Sequence, residues 1–250
     1  MRNVHVGTMG WSYDFWKGSF YPLDLQSSGF LAYYSSKFDT VEVDSTFYRI
    51  PRAQTVLKWK EQTPIGFVFS LKFPRVITHV KMLKDCEDET KVFLERVGLL
   101  GEKLGPLLLQ FPFSFRTEHL SLLDSYLEAL PKELHYVIEV RNKELLEDSF
   151  YSVLRNWRAA LAWVDSVSMP TATEVMSDFV YVRWEGDRKK VNGTLGKTAI
   201  ERTEGVKLWA GRLQPFIDKG IEVFGYFSKY YSGFPPSDIQ HLIACLESDA

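Results

Sequence analysis

Cysteine is scarce in this chain of 250 residues. Cys86 and Cys245 stand far apart and match no metal-ligand spacing, so they are expected to be reduced thiols of a cytosolic protein, not a disulfide. Histidine is almost as sparse, five residues in all, which leaves little from which to build a transition-metal site. There is no run of about 18 or more apolar residues able to span a bilayer, and Met1 to Thr8 contain no apolar leader core. A membrane protein is therefore excluded as an expectation, and a cytoplasmic one is favoured. Charge of one sign is lacking too: 30 Lys and Arg against 32 Asp and Glu give a net charge of -2, without the basic field of a dedicated duplex-binding protein. A linker tract, low-complexity segments, internal repeats, a Gly-rich phosphate loop and a dinucleotide fingerprint are also missing. A single domain over residues 1–250 is expected.

What is present is a hydrophobic content of 45%, enough for a large core, and a succession of short strands alternating with helical patterns. The most informative stretch runs from Val41 to Pro51. A period of 2 puts Val41, Val43 and Ser45 on one face and Glu42, Asp44 and Thr46 on the other, so a half-apolar strand aims two carboxylates the same way. Burying such groups costs several kcal/mol each unless partners are supplied. The chain must bring cations to them or use them.

The other strands repeat the pattern. Val4 to Met9 reads as the first strand, followed by a loop dense in aromatics, of which Trp11 and Trp16 are candidates for stacking on a ligand. Gln26 to Phe38 has helical spacing, and Pro51 opens a second helix through Thr63. Phe67 to Pro74 places Ser70 and Lys72 on one face, with Lys72 a partner for Glu42 or Asp44 on the neighbouring strand. Arg75 to Lys84 reads as a loop holding Thr78 and His79, before a helix that ends near Gly105. Pro106 to Pro112 is a continuously apolar strand broken by Gln110 at its end, as in a sheet covered on both faces. His135 to Arg141 sets Glu139 and Arg141 in phase, Ala160 to Asp165 ends in a carboxylate, and Phe179 to Gly186 sets Arg183 and Glu185 in phase. Glu222 to Lys229, with Tyr226, is the eighth strand, and Ser237 or Asp238 caps a last helix.

Eight strands alternating with helices over this length match an α/β fold, the (β/α)8 TIM barrel, with an open doubly wound sheet as the alternative. In such a barrel catalytic groups gather at the C-terminal strand ends. The candidates there are Glu139 or Glu42 as the acid or base, Lys72 as a salt-bridged lysine or a Schiff-base amine, Asp165 as a further catalytic carboxylate, and Arg141, Arg183, Asp44, Gln110, Trp11, Trp16, Tyr48 and Tyr226 for binding.

The chain also resembles the YecE-like proteins, a domain of unknown function with a TIM-barrel fold. The residues that carry the resemblance are Gly7-Thr8, Gly10-Trp11-Ser12-Tyr13, Trp16, Phe20-Tyr21-Pro22 and Val41 to Tyr48. They continue with Phe69, Lys72-Phe73-Pro74, Thr78-His79, Leu109 to Pro112 and Glu139-Val140-Arg141. The resemblance implies the barrel and brings no activity with it. The chain departs from the family pattern at Asp44, Glu185-Gly186 and Ser228-Lys229, where Asn, His-Gly and Asn-Asn are more usual.

Several functions fit these residues. Lys72, Arg141 and Arg183 converging with carboxylates suit an enzyme acting by acid/base chemistry on a small anionic, phosphorylated or carboxylated, sugar-like molecule. A glycoside hydrolase would use Glu42 with Glu139 or Glu185, although Gln110 stands where large barrel glycosidases place their acid. A non-catalytic barrel binding single-stranded nucleic acid would stack bases on Trp11, Trp16 and Tyr48 and hold phosphates with Arg188, Lys189 and Lys190. No cofactor is expected beyond a weak divalent-cation set of Asp44, Glu139 and Asp165. The remaining alternative is that the inward charges form only a closed ion-pair network, Glu42 with Lys72 and Glu139 with Arg141 or Arg183.

Overall fold

The computed structural model describes residues 3–248. Its strands are β1 (Val4–Thr8), β2 (Thr40–Val43), β3 (Val68–Lys72), β4 (Leu104–Gln110), β5 (Tyr136–Glu139), β6 (Ala160–Ser166), β7 (Phe179–Gly186) and β8 (Glu222–Phe227). All neighbouring pairs are parallel, in the order β1-β8-β7-β6-β5-β4-β3-β2. The helices are α1 (Phe30–Ser35), α2 (Ser45–Tyr48), α3 (Ala53–Glu61), α4 (Glu87–Val97), α5 (Leu120–Ala129), α6 (Asp148–Trp157), α7 (Thr203–Ile217) and α8 (Pro235–Ser248). This is the (β/α)8 barrel, nearly closed, with one departure: residues 167–178 between β6 and β7 contain no helix. Pro170 disfavours helix there, and the Trp163 indole holds the segment by donating to the Glu174 carbonyl at 3.1 Å.

Closure between β1 and β2 depends on side chains. A bridge pairs Met9 with Glu42, and the Gly10 amide donates to the Glu42 carbonyl at 2.8 Å. Below it the Tyr34 hydroxyl from α1 accepts from the Thr8 amide at 2.9 Å and donates to the Thr40 carbonyl at 3.0 Å, in place of a direct ladder bond. A side chain at Gly7 would place its Cβ 2.2 Å from the Thr40 oxygen, so only glycine permits this approach.

Two periodicities separate inside from outside. Along β3, Phe69 and Leu71 pack outward against the helices, while Ser70 and Lys72 point into the barrel. The middle of the interior is a polar and aromatic layer in which the Tyr226 hydroxyl meets Thr40 Oγ1 at 2.8 Å and the Tyr181 hydroxyl meets Ser70 Oγ at 2.7 Å. The floor at the N-terminal end carries His5, stacked on Phe224 and held by Asp39 at 2.7 Å and Glu222 at 3.3 Å.

Burial lowers the His5 pKa, but these two carboxylates more than reverse that and raise it to about 9. A histidine whose folded pKa lies above its unfolded value lends stability that is complete below about 6.5 and disappears as pH rises through about 9. Urea midpoints of the wild type are therefore expected to fall between pH 6.5 and 9, and those of His5→Gln to lack that fall. Parallel profiles for the two proteins would remove His5 from the account.

Some predicted elements end elsewhere. Helix α1 is confined to Phe30–Ser35 because the Ser35 and Ser36 hydroxyls bond back to the Ala32 and Tyr33 carbonyls. The stretch read as one strand through Thr46 stops at Val43, and α2 begins at once; Thr46 Oγ1 donates to the carbonyls of Val43 and Lys72. The Arg75 to Lys84 loop contains a π-helical turn, Val76–Val80, and α8 starts at Pro235, ahead of Ser237. Both cysteines are free thiols. Among the described residues, no helix is long and apolar enough to cross a membrane.

Candidate functional site

The last inward positions of β2, β3, β4 and β5 deliver Glu42, Lys72, Gln110 and Glu139, and the last but one of β7 delivers Arg183, to one layer near the C-terminal end of the barrel. Arg183 is its centre and is almost completely buried, as are Glu42 and Glu139. Its Nε donates to Glu42 Oε2 at 2.9 Å and its Nη2 to Glu42 Oε1 at 2.8 Å, a bidentate grip. Its Nη1 donates to both Glu139 Oε2 and Glu185 Oε1, the latter at 2.7 Å. The Tyr181 hydroxyl adds a 2.7 Å bond to Glu42, and Met9 Sδ lies 3.4 Å from Nη2. Burial and Asp44 raise the Glu42 pKa by more than Arg183 and Tyr181 lower it. Burial acts against the Arg183 charge, but Glu139, Glu42 and Glu185 raise its pKa well beyond the ordinary value.

A relay runs from this centre to Lys72. Glu139 Oε1 accepts from Gln110 Nε2 at 2.6 Å, and Gln110 Oε1 accepts from Lys72 Nζ at 2.8 Å, which fixes the orientation of the amide. The ammonium lies 4.4 Å above the Phe47 ring and 3.9 Å from Asp44 Oδ1, with 9% of its side chain exposed. Burial lowers its pKa despite the pull of Asp44, and Arg183 pushes it the same way.

Above the layer, Arg141 is 44% exposed and weakly held, 3.8 Å from Glu139 and 3.5 Å from Glu185. Burial alone would raise the Glu185 carboxyl, but Arg183, Arg141, Arg188 and Lys72 bring it below the usual carboxylate range. His79, edge-on to Phe47, is driven down to about 4 by burial and then by Lys72, Arg141 and Arg75. Two titrating groups thus register one cationic field at the mouth.

The structure brings together Glu42, Lys72, Gln110, Glu139, Arg183 and, at the rim, Asp44 and Arg141. It revises the pairing: Glu42 takes Arg183, while Lys72 takes Gln110 with Asp44 nearby. Asp165 is not among them. It shares the outward face of β6 with Leu161 and Trp163 and accepts from the Trp209 indole of α7 at 2.7 Å, so it is a strut between barrel and helix, and the oxygen set Asp44, Glu139 and Asp165 is not assembled. Among the described residues no three of His, Cys, Asp and Glu are grouped for a metal. Trp16 is fully buried among Tyr13, Phe15, Phe20, Tyr21 and Phe234, which leaves no face for a ligand. Tyr226 lies one layer too deep, against Thr40. Trp11 and the 81% exposed Tyr48 remain at the rim, where they line a cavity of about 320 Å3 with Asp44 and Trp59.

Sequence reasoning missed Tyr181, Phe47 and Met9. The period-2 phase of β7 already put Tyr181 with Arg183 and Glu185, whereas Phe47 was hidden by reading α2 as strand. A glycosidase arrangement is not formed by Glu42 with Glu139 or by Glu42 with Glu185, because the carboxylates of each pair are both held by the Arg183 guanidinium.

A parallel barrel with polar groups converging at the carboxyl ends of its strands places this protein in the TIM-barrel class. Within that class the chain belongs to the family described as protein of unknown function DUF72, whose model matches residues 5–250. It is 35% identical over 141 residues to the UPF0759 protein YecE of Escherichia coli strain K12, covering 56% of this chain and 49% of that protein. To the UPF0759 protein YunF of Bacillus subtilis strain 168 it is 28% identical over 207 residues, 75% of this chain and 71% of that one. The match spans about half the length of the E. coli relative. The crystal structure of a DUF72 family protein from Thermotoga maritima superposes with a TM-score of 0.84 at 27% identity, covering 98% of this chain and 99% of the other. A DUF72 family protein from Enterococcus faecalis shares the fold, with a TM-score of 0.75 at 20% identity over 98% and 95% of the two chains.

Proposed function

We propose that this protein is an enzyme that transfers a proton on a small anionic, sugar-like molecule at the C-terminal face of the barrel. Lys72 is the acid/base group and Arg141 holds the anion. The observation that carries the reading is Lys72 itself: a lysine with a lowered pKa, held by the neutral Gln110 amide, beside an open rim that bears a loosely held, half-exposed arginine. Burial makes the Lys72 ammonium easier to deprotonate than an ordinary lysine, which suits an amine that gives and takes a proton. Glu139 and Gln110 orient the amine, and Arg183 holds Glu139 in turn. Arg183 has its donors committed to carboxylates, so the anion falls to Arg141, whose contacts are long and exposed.

The test is a melting comparison of wild type and Arg141→Met with phosphorylated sugars, sugar acids, dicarboxylates and short oligonucleotides, each with and without Mg2+ or Mn2+. A ligand at about 100 times its Kd adds roughly 2.7 kcal/mol to the folded state. One class of small anion is expected to raise the wild-type midpoint and to leave Arg141→Met unmoved. If none does, or if only oligonucleotides do, the assignment is withdrawn.

A further inference from the structure

Two cavities flank the charged layer, and their walls differ in kind. On one side, the β1 and β2 ends frame the space of about 320 Å3 between Trp11, Tyr48 and Trp59, with Ser12, Ser45 and the Asp44 carboxylate as its polar groups. Trp11 stands perpendicular to Trp59 with ring centroids 5.8 Å apart, so its orientation is set without a ligand. On the other side, the β6 and β7 ends frame about 280 Å3 lined by Arg141, Arg188, Lys189, Ser166 and Ser168 together with the carboxylates of Glu185 and Asp187. The loop here is built, not loose. Gly186 has φ +69° and would set a Cβ 2.2 Å from the Tyr230 carbonyl, and Asp187 Oδ1 accepts the Lys189 amide at 2.9 Å. The Arg188 guanidinium lies over the Tyr230 ring at 5.1 Å.

The two cavities lie on either side of one buried side chain. Arg183 Nη2 is 4.0 Å from Asp44 in the wall of the first, and its Nη1 is 2.7 Å from Glu185 in the wall of the second. Lys72, 3.9 Å from Asp44, lies at the same junction. A molecule reaching from one cavity toward the other would pass Asp44, whose carboxylate is 3.9 Å from the Lys72 amine.

We propose that the substrate is a ring-bearing monosaccharide phosphate whose phosphate sits between Arg141 and Arg188 and whose ring stacks on Trp11 with its hydroxyls on Asp44. This rests on the reading of Lys72 and Arg141 as a site and goes beyond it by fixing the ligand's two ends. An indole face suits the apolar face of a pyranose, and a carboxylate, which only accepts, suits hydroxyl donors. Two arginines with two serine hydroxyls suit a dianion better than a single carboxylate, because each guanidinium is a fork for two oxygens. Glu185 is already drawn to Arg183 and Arg141 and feels the Arg188 charge, so a phosphate entering would compete with it for both Arg141 and Arg188.

Calorimetric titration with glucose 6-phosphate, inorganic phosphate and methyl glucoside, on the whole protein, tests the arrangement. Arg188→Ala is expected to weaken glucose 6-phosphate and inorganic phosphate by the same factor. Trp11→Ala is expected to weaken glucose 6-phosphate about tenfold and leave inorganic phosphate unchanged. Tyr48→Ala, at an exposed position that the fold does not need, is expected to act in the same direction as Trp11→Ala. Equal affinity of glucose 6-phosphate for wild type, Trp11→Ala and Tyr48→Ala would overturn the ring subsite. So would Trp11-dependent binding of adenosine monophosphate in its place. Absence of glucose 6-phosphate binding to wild type would overturn the proposal as a whole. Arg141-dependent binding of a sugar acid or dicarboxylate would in that event leave the anion-site reading standing. Glucose 6-phosphate binding that needs Trp11 and Arg188, with turnover indifferent to Lys72→Met, would instead fail the catalytic reading alone.

Discussion

Replacement of Arg183 by Met is expected to be the most damaging single change to the fold, at about 3–5 kcal/mol. The side chain it removes is the common partner of Glu42, Glu139 and Glu185, and the first two are buried to within 2% of complete. Their carboxylates would be left in the barrel with a tyrosine hydroxyl and an amide as their nearest donors. The loss should depend on pH in a defined sense. The folded pKa of Glu42 already lies above its ordinary value and would rise further without the guanidinium. A carboxyl raised in this way favours the folded state below its unfolded pKa and loses that contribution as pH climbs through the folded one. Urea unfolding should therefore show a smaller deficit for Arg183→Met at pH 5 than at pH 8. An equal deficit at both would mean that shape, not charge, is what Arg183 supplies. The triple replacement Glu42→Leu, Glu139→Leu, Arg183→Met is expected to recover most of the loss, since apolar groups of similar volume replace buried ion pairs at little cost. Such a cluster is a poor way to stabilise a barrel, and that is the argument for its retention by function.

Lys72→Met is expected to do the opposite. Turnover of the monosaccharide phosphate should fall by about 10²–10⁴, while the melting temperature holds or rises. The sign follows from the lowered pKa. A lysine easier to deprotonate in the folded state weighs against folding at neutral pH, where the unfolded chain keeps it charged in water. Met keeps the stem over Phe47 and removes the charge, at the expense of one bond to Gln110. Rate and midpoint measured on one preparation separate the two effects. A large drop in midpoint with activity lost only in proportion to unfolding would make Lys72 a structural residue.

Much of this was legible from alternation alone. Glu42, Lys72, Gln110, Glu139 and Arg183 each sit at an inward position near the end of a strand, and each was marked by being polar in an otherwise apolar run. The same rule marked Asp165 as outward, since it shares its face with Leu161 and Trp163 while Ala160, Ala162 and Val164 face the interior. Its position at a strand end outweighed its phase, and that was the error. Trp16 misled for another reason: a loop rich in aromatics reads the same whether its rings line a cavity or pack on one another, and here they pack.

The sequence by itself determined which side of each strand every residue takes, because the backbone repeats every two residues whatever the strand pairs with. It determined the eight-strand count as well, which favoured the barrel over an open doubly wound sheet. Only the tertiary structure decided who meets whom across the interior. Arg183 on β7 reaches Glu42 on β2, 141 residues away, because strand tilt and closure between β1 and β2 set the height of each residue on the barrel axis. No local pattern encodes that height. It is also why Lys72, an apparent partner for Glu42, bonds instead to the Gln110 amide with Asp44 at 3.9 Å, where burial lowers the pKa on which the proposed chemistry rests.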